Sequence, residues 1–210
     1  MPIREEQKQH THQALLNAVL SLSSQGRTFS SMSLREITGE VNLAPATFYR
    51  HFQNMDDLAL ELIDHIAIFL KACFGQICKL AVQDPYSHQQ RIQYLFDMVD
   101  QHPEHWSFFI HERSSGSLKI RQAIKREMKF LVQYTASTIQ NMQNFAAIKD
   151  TEDLPAFAEV FVNITLCWVI EWLDLRYQQD LIQQKIAQDK VKAKALLQIQ
   201  LIYGGLQTWQ

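Results

Sequence analysis

Apolar residues recur at helical spacing along almost the whole chain. Leu15, Ala18, Val19 and Leu22 fall on one face of a helix predicted over about 5–24, which Gly26 ends. Ser33-Leu34-Arg35-Glu36 has the form of a capping box, in which the serine oxygen and the glutamate each satisfy a backbone N–H of the first turn. The helix it opens turns Leu34, Ile37 and Val41 inward and stops at Asn42, a residue that tolerates the left-handed backbone of a tight turn. Pro45 suits the first turn of the next helix, predicted over about 45–51, with Phe48 and Phe52 as its inward pair.

After a polar break at Gln53-Asn54, a long helix is predicted over about 56–82, with Asp56 and Asp57 at its positive end. Pro85 and Pro103 are expected to open two further helices, and Ser114-Ser115-Gly116 breaks the chain before a long one over about 117–143. A polar connection at 144–153 and two last helices, over about 154–179 and 189–209, complete the pattern. No strand-like alternation and no internal repeat is present. The expected fold is all-α, with a three-helix head over 1–52 and a helical body over 53–210.

Composition narrows the class. Of 210 residues, 47% are hydrophobic, which excludes disorder as the main description; 6 Gly and 5 Pro are too few for the turns of an all-β fold. The net charge is −2. The head holds five Lys/Arg against four acids, with His10, His12 and His51 beside them, and the body 15 against 18. The head is therefore not strongly basic, and any DNA binding there must rest on pattern rather than charge. Cys73, Cys78 and Cys167 form no CxxC pair and read as reduced thiols, mostly buried as small hydrophobes. The polar start from Met1 to Lys8 predicts no signal peptide. The longest apolar stretch, Val160 to Ile170, is shorter than the roughly 20 residues of a membrane span. A soluble, cytoplasmic protein is expected.

Helix, short turn, short helix is the helix-turn-helix pattern, whose second helix enters the major groove. Here that helix lies within Ala44-Pro45-Ala46-Thr47-Phe48-Tyr49-Arg50-His51-Phe52. At roughly 100° per residue, Phe48 and Phe52 point inward while Ala46, Thr47 and Arg50 face outward together. Small residues at 44–47, Pro45 among them, let the backbone approach base edges, and the Thr47 methyl suits a thymine methyl. Tyr49 and His51 flank that face with polar tips suited to phosphate oxygens, and Arg35, near the start of the preceding helix, can reach the backbone or a guanine. A helical corner in any all-α protein offers the same outline, so the residues by themselves leave both readings open.

The stretch from Met32 to Leu58, above all Thr47-Phe48-Tyr49-Arg50-His51-Phe52, resembles the DNA-binding signature of the tetracycline-repressor (TetR) family. Ala-Pro-x-Thr-Phe-Tyr-Arg-His-Phe further resembles the FabR-like repressors of unsaturated fatty acid synthesis, and His111-Glu112-Arg113-Ser114-Ser115-Gly116 is similar to an Arg-Glu-Arg-Ser-Gly segment of that subgroup. The resemblance implies a transcriptional repressor that binds a palindromic DNA operator as a homodimer. It makes Thr47, Tyr49, His51 and Arg35 the DNA contacts that match the family pattern. Some positions depart from it: Met55 stands where the family commonly has Lys, Asn42 and Ala46 near commonly Gly positions, and Ala44 in place of a capping Ser. Gln9, His10 and His12 replace Lys and Arg of the subgroup, which implies weaker or more pH-sensitive binding.

The resemblance further implies a body that binds a small molecule and dimerises. Phe69, Phe74, Phe96, Phe108, Phe109, Phe130, Tyr134 and Trp168 are the candidate lining of an effector cavity, each with ordinary core packing as the alternative. In the fatty-acid subgroup the effector is a long-chain fatty acyl thioester, an acyl-CoA or acyl-carrier thioester. Lys119, Arg121, Lys125, Arg126 and Lys129, with Arg113 just before them, could receive coenzyme A phosphates, or form a solvated helix face. Val160, Ile164 and Trp172, with Leu196, Ile199 and Tyr203, recur at helical spacing and are the expected dimer face; a core helix pair within one chain is the alternative.

An enzyme is not expected. The sequence holds no Gly-rich phosphate loop, no GxSxG, no HExxH and no Glu-x-x-His pair, and Pro103 interrupts His102-x-x-His105, so neither cofactor nor metal is anticipated. A helical module that binds a ligand or partner without touching DNA is the remaining rival.

Overall fold

The computed structural model describes residues 2–84, 86–141 and 153–207. Every regular element among them is helical. In chain order these are α1 (Pro2–Ser24), a 3-10 turn (Phe29–Ser31), α2 (Leu34–Glu40), α3 (Pro45–Phe48), α4 (Met55–Gln83), α5 (His88–Gln101), α6 (Pro103–Ser115), α7 (Leu118–Gln140), α8 (Leu154–Asp174), a second 3-10 turn (Leu175–Tyr177) and α9 (Leu181–Gln207). The chain forms two compact units, residues 1–68 with 104–126 and residues 69–103 with 127–210.

In the first unit α1 packs on α2 and α2 on α3. Leu15, Leu16 and Val19 of α1, Ile37 of α2 and Phe48 of α3 are all fully buried, as are Trp106, Phe108 and Phe109 of α6. Gly26, with φ 81°, releases the chain from α1, and Asn42, with φ 54°, takes the left-handed conformation between α2 and α3. The Asn54 side chain accepts the Asp57 N–H at 3.0 Å while the Asp57 carboxylate accepts the Gln53 N–H at 3.0 Å, a reciprocal cap that starts α4. The 3-10 turn at Phe29–Ser31 has no counterpart in the helical periodicity. Its Phe29 ring is buried edge-on to Phe108, with centroids 6.2 Å apart.

In the second unit α5, α8 and α9 pack on one another. Phe96 stacks on Trp172 with centroids 4.0 Å apart, and the Trp172 indole donates to Asp100 at 2.9 Å. The stretch 154–177 is long and apolar enough to cross a membrane by length and composition, contrary to the expectation from its interrupted apolar run. Ala158, Val162, Leu166, Val169 and Trp172 of α8 are nevertheless buried in the unit, as in a core helix.

Three expected boundaries move. The eighth helix ends at Asp174 rather than near Gln179, and the last begins at Leu181 rather than near Asp189. Asp180 is the reason: its carboxylate accepts the N–H groups of Ile182 and Gln183 at 2.9 and 3.2 Å and caps α9. The third helix is only Pro45–Phe48, continued to His51 by turns. Pro103 opens α6 as expected, whereas Pro85 and most of the 144–153 connection lie outside the described residues. Cys73 and Cys78 are buried free thiols and Cys167 an exposed one; burial pushes the Cys73 thiol up to about 11, well away from a reactive thiolate.

Candidate DNA-binding face and effector cavity

The first unit places polar residues of α1 beside those of the α3 segment. The Ser33 hydroxyl accepts the Glu36 N–H at 3.3 Å and Glu36 accepts the Ser33 N–H at 2.8 Å, so the capping box is present. Glu36 also pairs with Arg27 at 2.7 Å. The guanidinium of Arg27, then the Ser33 N–H and hydroxyl, lower the Glu36 carboxyl to about 2. Leu43 N–H closes the turn onto Thr38 carbonyl at 2.8 Å, and Pro45 supplies the fixed φ that starts α3. Ala44 at the N-cap offers no side-chain acceptor.

Helix α3 is held by its apolar side. Phe48 and Phe52 are buried with ring centroids 5.5 Å apart, and His12 of α1 stacks on Phe52 at 4.5 Å. With that side fixed, Pro45, Ala46, Tyr49 and Arg50 are exposed, Tyr49 to 65%, and Thr47 and His51 are half-buried. Arg35 is exposed on the first turn of α2. A cleft between α1 and α3 brings Lys8 and Thr11 beside Thr47, Arg50 and His51. Lys8 and Thr11 were not singled out from sequence. They lie one turn apart on α1 and extend its Leu15 and Ala18 stripe toward the N-terminus, and polar residues that continue an apolar stripe are the signal that could have identified them.

His51 carries the unusual environment of this face. Its Nδ1 is buried without a hydrogen-bond partner among the described residues, and its ring centroid is 5.7 Å from that of His12. Desolvation, then the charges of His12, Lys8 and Arg50, lower its pKa, which favours the neutral ring. His12 Nε2 in turn contacts Glu61 Oε1 at 2.5 Å, and His65 lies 3.9 Å from the same oxygen.

The second unit holds a cavity of about 70 Å³, lined mainly by apolar side chains of α4, α5, α7, α8 and α9. Phe74 and Trp168, both expected to line an effector site, are among the residues that line this cavity. The other expected lining residues lie elsewhere. Phe96 is sealed against Trp172, Phe69 packs on His102 at 5.0 Å, and Phe130 lies under the Lys71 ammonium at 4.3 Å. Tyr134 is partly exposed on α7, Phe108 and Phe109 belong to the core of the first unit, and Arg113 is exposed there on α6. A long acyl tail does not fit a cavity of this size without rearrangement, since drug-sized ligands occupy roughly 300 Å³ or more. Three of the cations expected to meet coenzyme A phosphates have partners within the first unit: Lys119 lies 3.6 Å from Asp56, Arg126 lies 3.4 Å from Asp64, and Arg121 donates to the Gly116 carbonyl at 2.9 Å.

Arg91 and Tyr203 are the polar pair of this cavity. Arg91 is 4% exposed, donates to the Tyr203 hydroxyl at 2.7 Å and bonds His88 Nδ1. Aromatic content alone does not point to it. On α5 it occupies the same stripe as His88, Ile92, Leu95 and Val99, and an arginine on the core stripe of a helix was the legible signal. Tyr203 was expected at a dimer face together with Trp172 and Ile199. All three are instead buried within the protomer, Tyr203 by Arg91 and Phe161, Trp172 by Phe96 and Ile199 in the cavity wall. Val160 stays 49% exposed, and Leu197 and Leu201 are exposed on α9, while Ile164 and Leu196 are half-buried.

The sequence profile of the bacterial regulatory proteins of the tetR family matches residues 25–62, from the turn after α1 into the first turns of α4. Solved structures share the fold over nearly their whole length. The reduced form of NemR from E. coli superposes with a TM-score of 0.66 at 17% identity, covering 92% of this chain and 97% of that one. A putative TetR-family transcriptional regulator from Rhodococcus sp. gives 0.62 at 14% identity over 91% and 97%, and a regulator from Aquifex aeolicus VF5 gives 0.60 at 17% over 91% and 99%. Residues 25–62 thus match the tetR-family N-terminal model, and the chain shares the fold of solved TetR/AcrR transcriptional regulators.

Proposed function

We propose that the chain is a DNA-binding transcriptional repressor that docks α3 in the major groove and answers to a small molecule held in its second unit. The observation that carries this reading is the division of α3. Phe48 and Phe52 anchor it, leaving Pro45, Ala46, Thr47, Tyr49 and Arg50 on the outside beside Lys8 and His51. Small residues let the backbone approach the bases, Thr47 and Arg50 meet base edges, and Lys8, Tyr49 and His51 meet phosphates. Residues 1–52 form the DNA-binding part and residues 53–210 the effector and dimerisation part. A homodimer doubles the α3 face and reads a palindrome whose half-sites lie about 34 Å or a multiple apart. The exposed apolar residues Val160, Leu197 and Leu201 support a dimer face on α8 and α9. As a regulator of DNA it works in the cytoplasm.

The effector acts only if it binds the DNA-competent and DNA-incompetent states with different affinity. The cavity's volume favours a compact molecule over a long-chain acyl thioester. Control of fatty acid genes then rests on the resemblance of the α3 signature and the 111–116 segment.

The test is selection of binding sites from random-sequence duplex DNA, followed by anisotropy titration with and without oleoyl-CoA and palmitoyl-CoA. A palindromic consensus bound at nanomolar to tens-of-nanomolar level, as specific regulators commonly show, supports the regulator. An affinity change with either thioester restores the fatty-acid signal. No enrichment over scrambled DNA hands the chain to the DNA-free helical module.

A further inference from the structure

The cavity of the second unit contains polar groups that an oil-binding pocket does not need. Its walls are mainly apolar, with Phe74, Ile92 and Leu95 among them, yet Arg91, 4% exposed, is also among the lining residues. Burying a cation in such surroundings is costly unless charge-assisted hydrogen bonds offset it. The three threonines that line the cavity differ from one another. Thr138 and Thr165 donate to the carbonyls of Tyr134 and Phe161 on their own helices. Thr135, 7% exposed, has a buried hydroxyl with no hydrogen-bond partner among the described residues. A buried hydroxyl left unpaired is unfavourable, and a ligand oxygen that accepts from it relieves that cost.

We propose that the cavity binds a compact monocarboxylate, its short apolar body among Phe74, Ile92 and Leu95, its carboxylate facing Arg91 and accepting from the Thr135 hydroxyl. This rests on the reading of the cavity as the effector site. The volume sets the size: about 70 Å³ holds on the order of five waters, the room of a short branched or aromatic acid rather than a long chain. The charge sets the class, since a guanidinium forms shorter and stronger hydrogen bonds to an ionised carboxylate than to a neutral amide.

Calorimetric titration of the full-length protein with isovalerate and benzoate, against isovaleramide and benzamide, tests this directly. The acids are expected to bind at least tenfold more tightly than their amides, and Thr135→Val to weaken the acids by about tenfold while leaving the fold unchanged. Equal binding of acids and amides, no binding of either acid, or unchanged acid affinity in Thr135→Val overturns the proposal. Operator titration of the same preparation separates the two readings. DNA binding without acid binding sinks only the carboxylate site, and acid binding without DNA binding sinks only the regulator.

Discussion

The carboxylate of Glu112, on α6, accepts the backbone N–H of Phe29 at 2.8 Å across 83 positions of sequence. Both ends are buried, so the bond pins the turn that leads into α2 to the interior of the first unit. Glu112→Ala leaves the Phe29 N–H unpaired and is expected to cost about 1–3 kcal/mol in chemical denaturation. Burial, ahead of the opposing Phe29 bond, raises the Glu112 pKa. Its stabilisation is therefore full below the ordinary value of 4.5 and is lost as pH rises through the raised one. Glu112→Gln keeps the acceptor and is expected to flatten that stretch of the stability profile; an unaltered profile contradicts the assignment.

Glu36 gives the opposite sign. Its carboxyl, lowered to about 2 by Arg27 and the α2 cap, stabilises the fold above 4.5 and loses that contribution as pH falls toward about 2. Arg27→Gln is expected to move this acid loss to higher pH. Separately, Ala44→Ser supplies the missing N-cap acceptor of α3 and is expected to add about 0.5–1 kcal/mol of stability, read in the same denaturation experiment.

DNA affinity should depend on pH through His51. Burial, then the neighbouring His12, Lys8 and Arg50 charges, favour its neutral form in the free protein, whereas phosphate contact favours the imidazolium. Proton uptake on binding makes affinity rise as pH falls from 8 to 6 at fixed salt. His51→Gln should remove that part of the rise, and a slope that survives it places the titration elsewhere.

Met55, half-buried at the start of α4, stands where the family commonly has Lys. Met55→Lys is expected to strengthen operator binding and steepen its salt dependence by about one phosphate contact, measured as the slope of log affinity against log salt.

The dimer face is tested by separating exposed from buried residues on α8 and α9. Leu197→Glu with Leu201→Glu, both at exposed positions, should yield folded monomers in light scattering. Trp172→Ala should instead cost about 3–5 kcal/mol of stability, because it removes the ring that stacks on Phe96.

Much of the head was legible because its signals are local. Ser33 and Glu36 form the box their spacing predicts, Asn42 takes the left-handed turn, and Phe48 with Phe52 anchors α3. The body was less legible because helical periodicity tells which face is apolar but not what covers it. Trp172, Ile199 and Tyr203 read equally well as a dimer face or a core, and packing chose the core. Phe96, Phe108 and Phe109 likewise carry the composition of a pocket and the burial of a core. Asp180 shows a further limit: a lone aspartate is a cap only once the chain presents two N–H groups to it. Arg91 is the instructive omission, since its place on an apolar stripe was visible without a structure.

The central claim is that the outer side of α3 reads DNA. Its most direct test is anisotropy on the selected operator with wild-type protein and with Thr47→Glu and Arg50→Ala, each checked for intact helicity. The account predicts at least a hundredfold loss for Thr47→Glu, which places a carboxylate against the groove, and about a tenfold loss for Arg50→Ala. Wild-type affinity in both folded variants would contradict it.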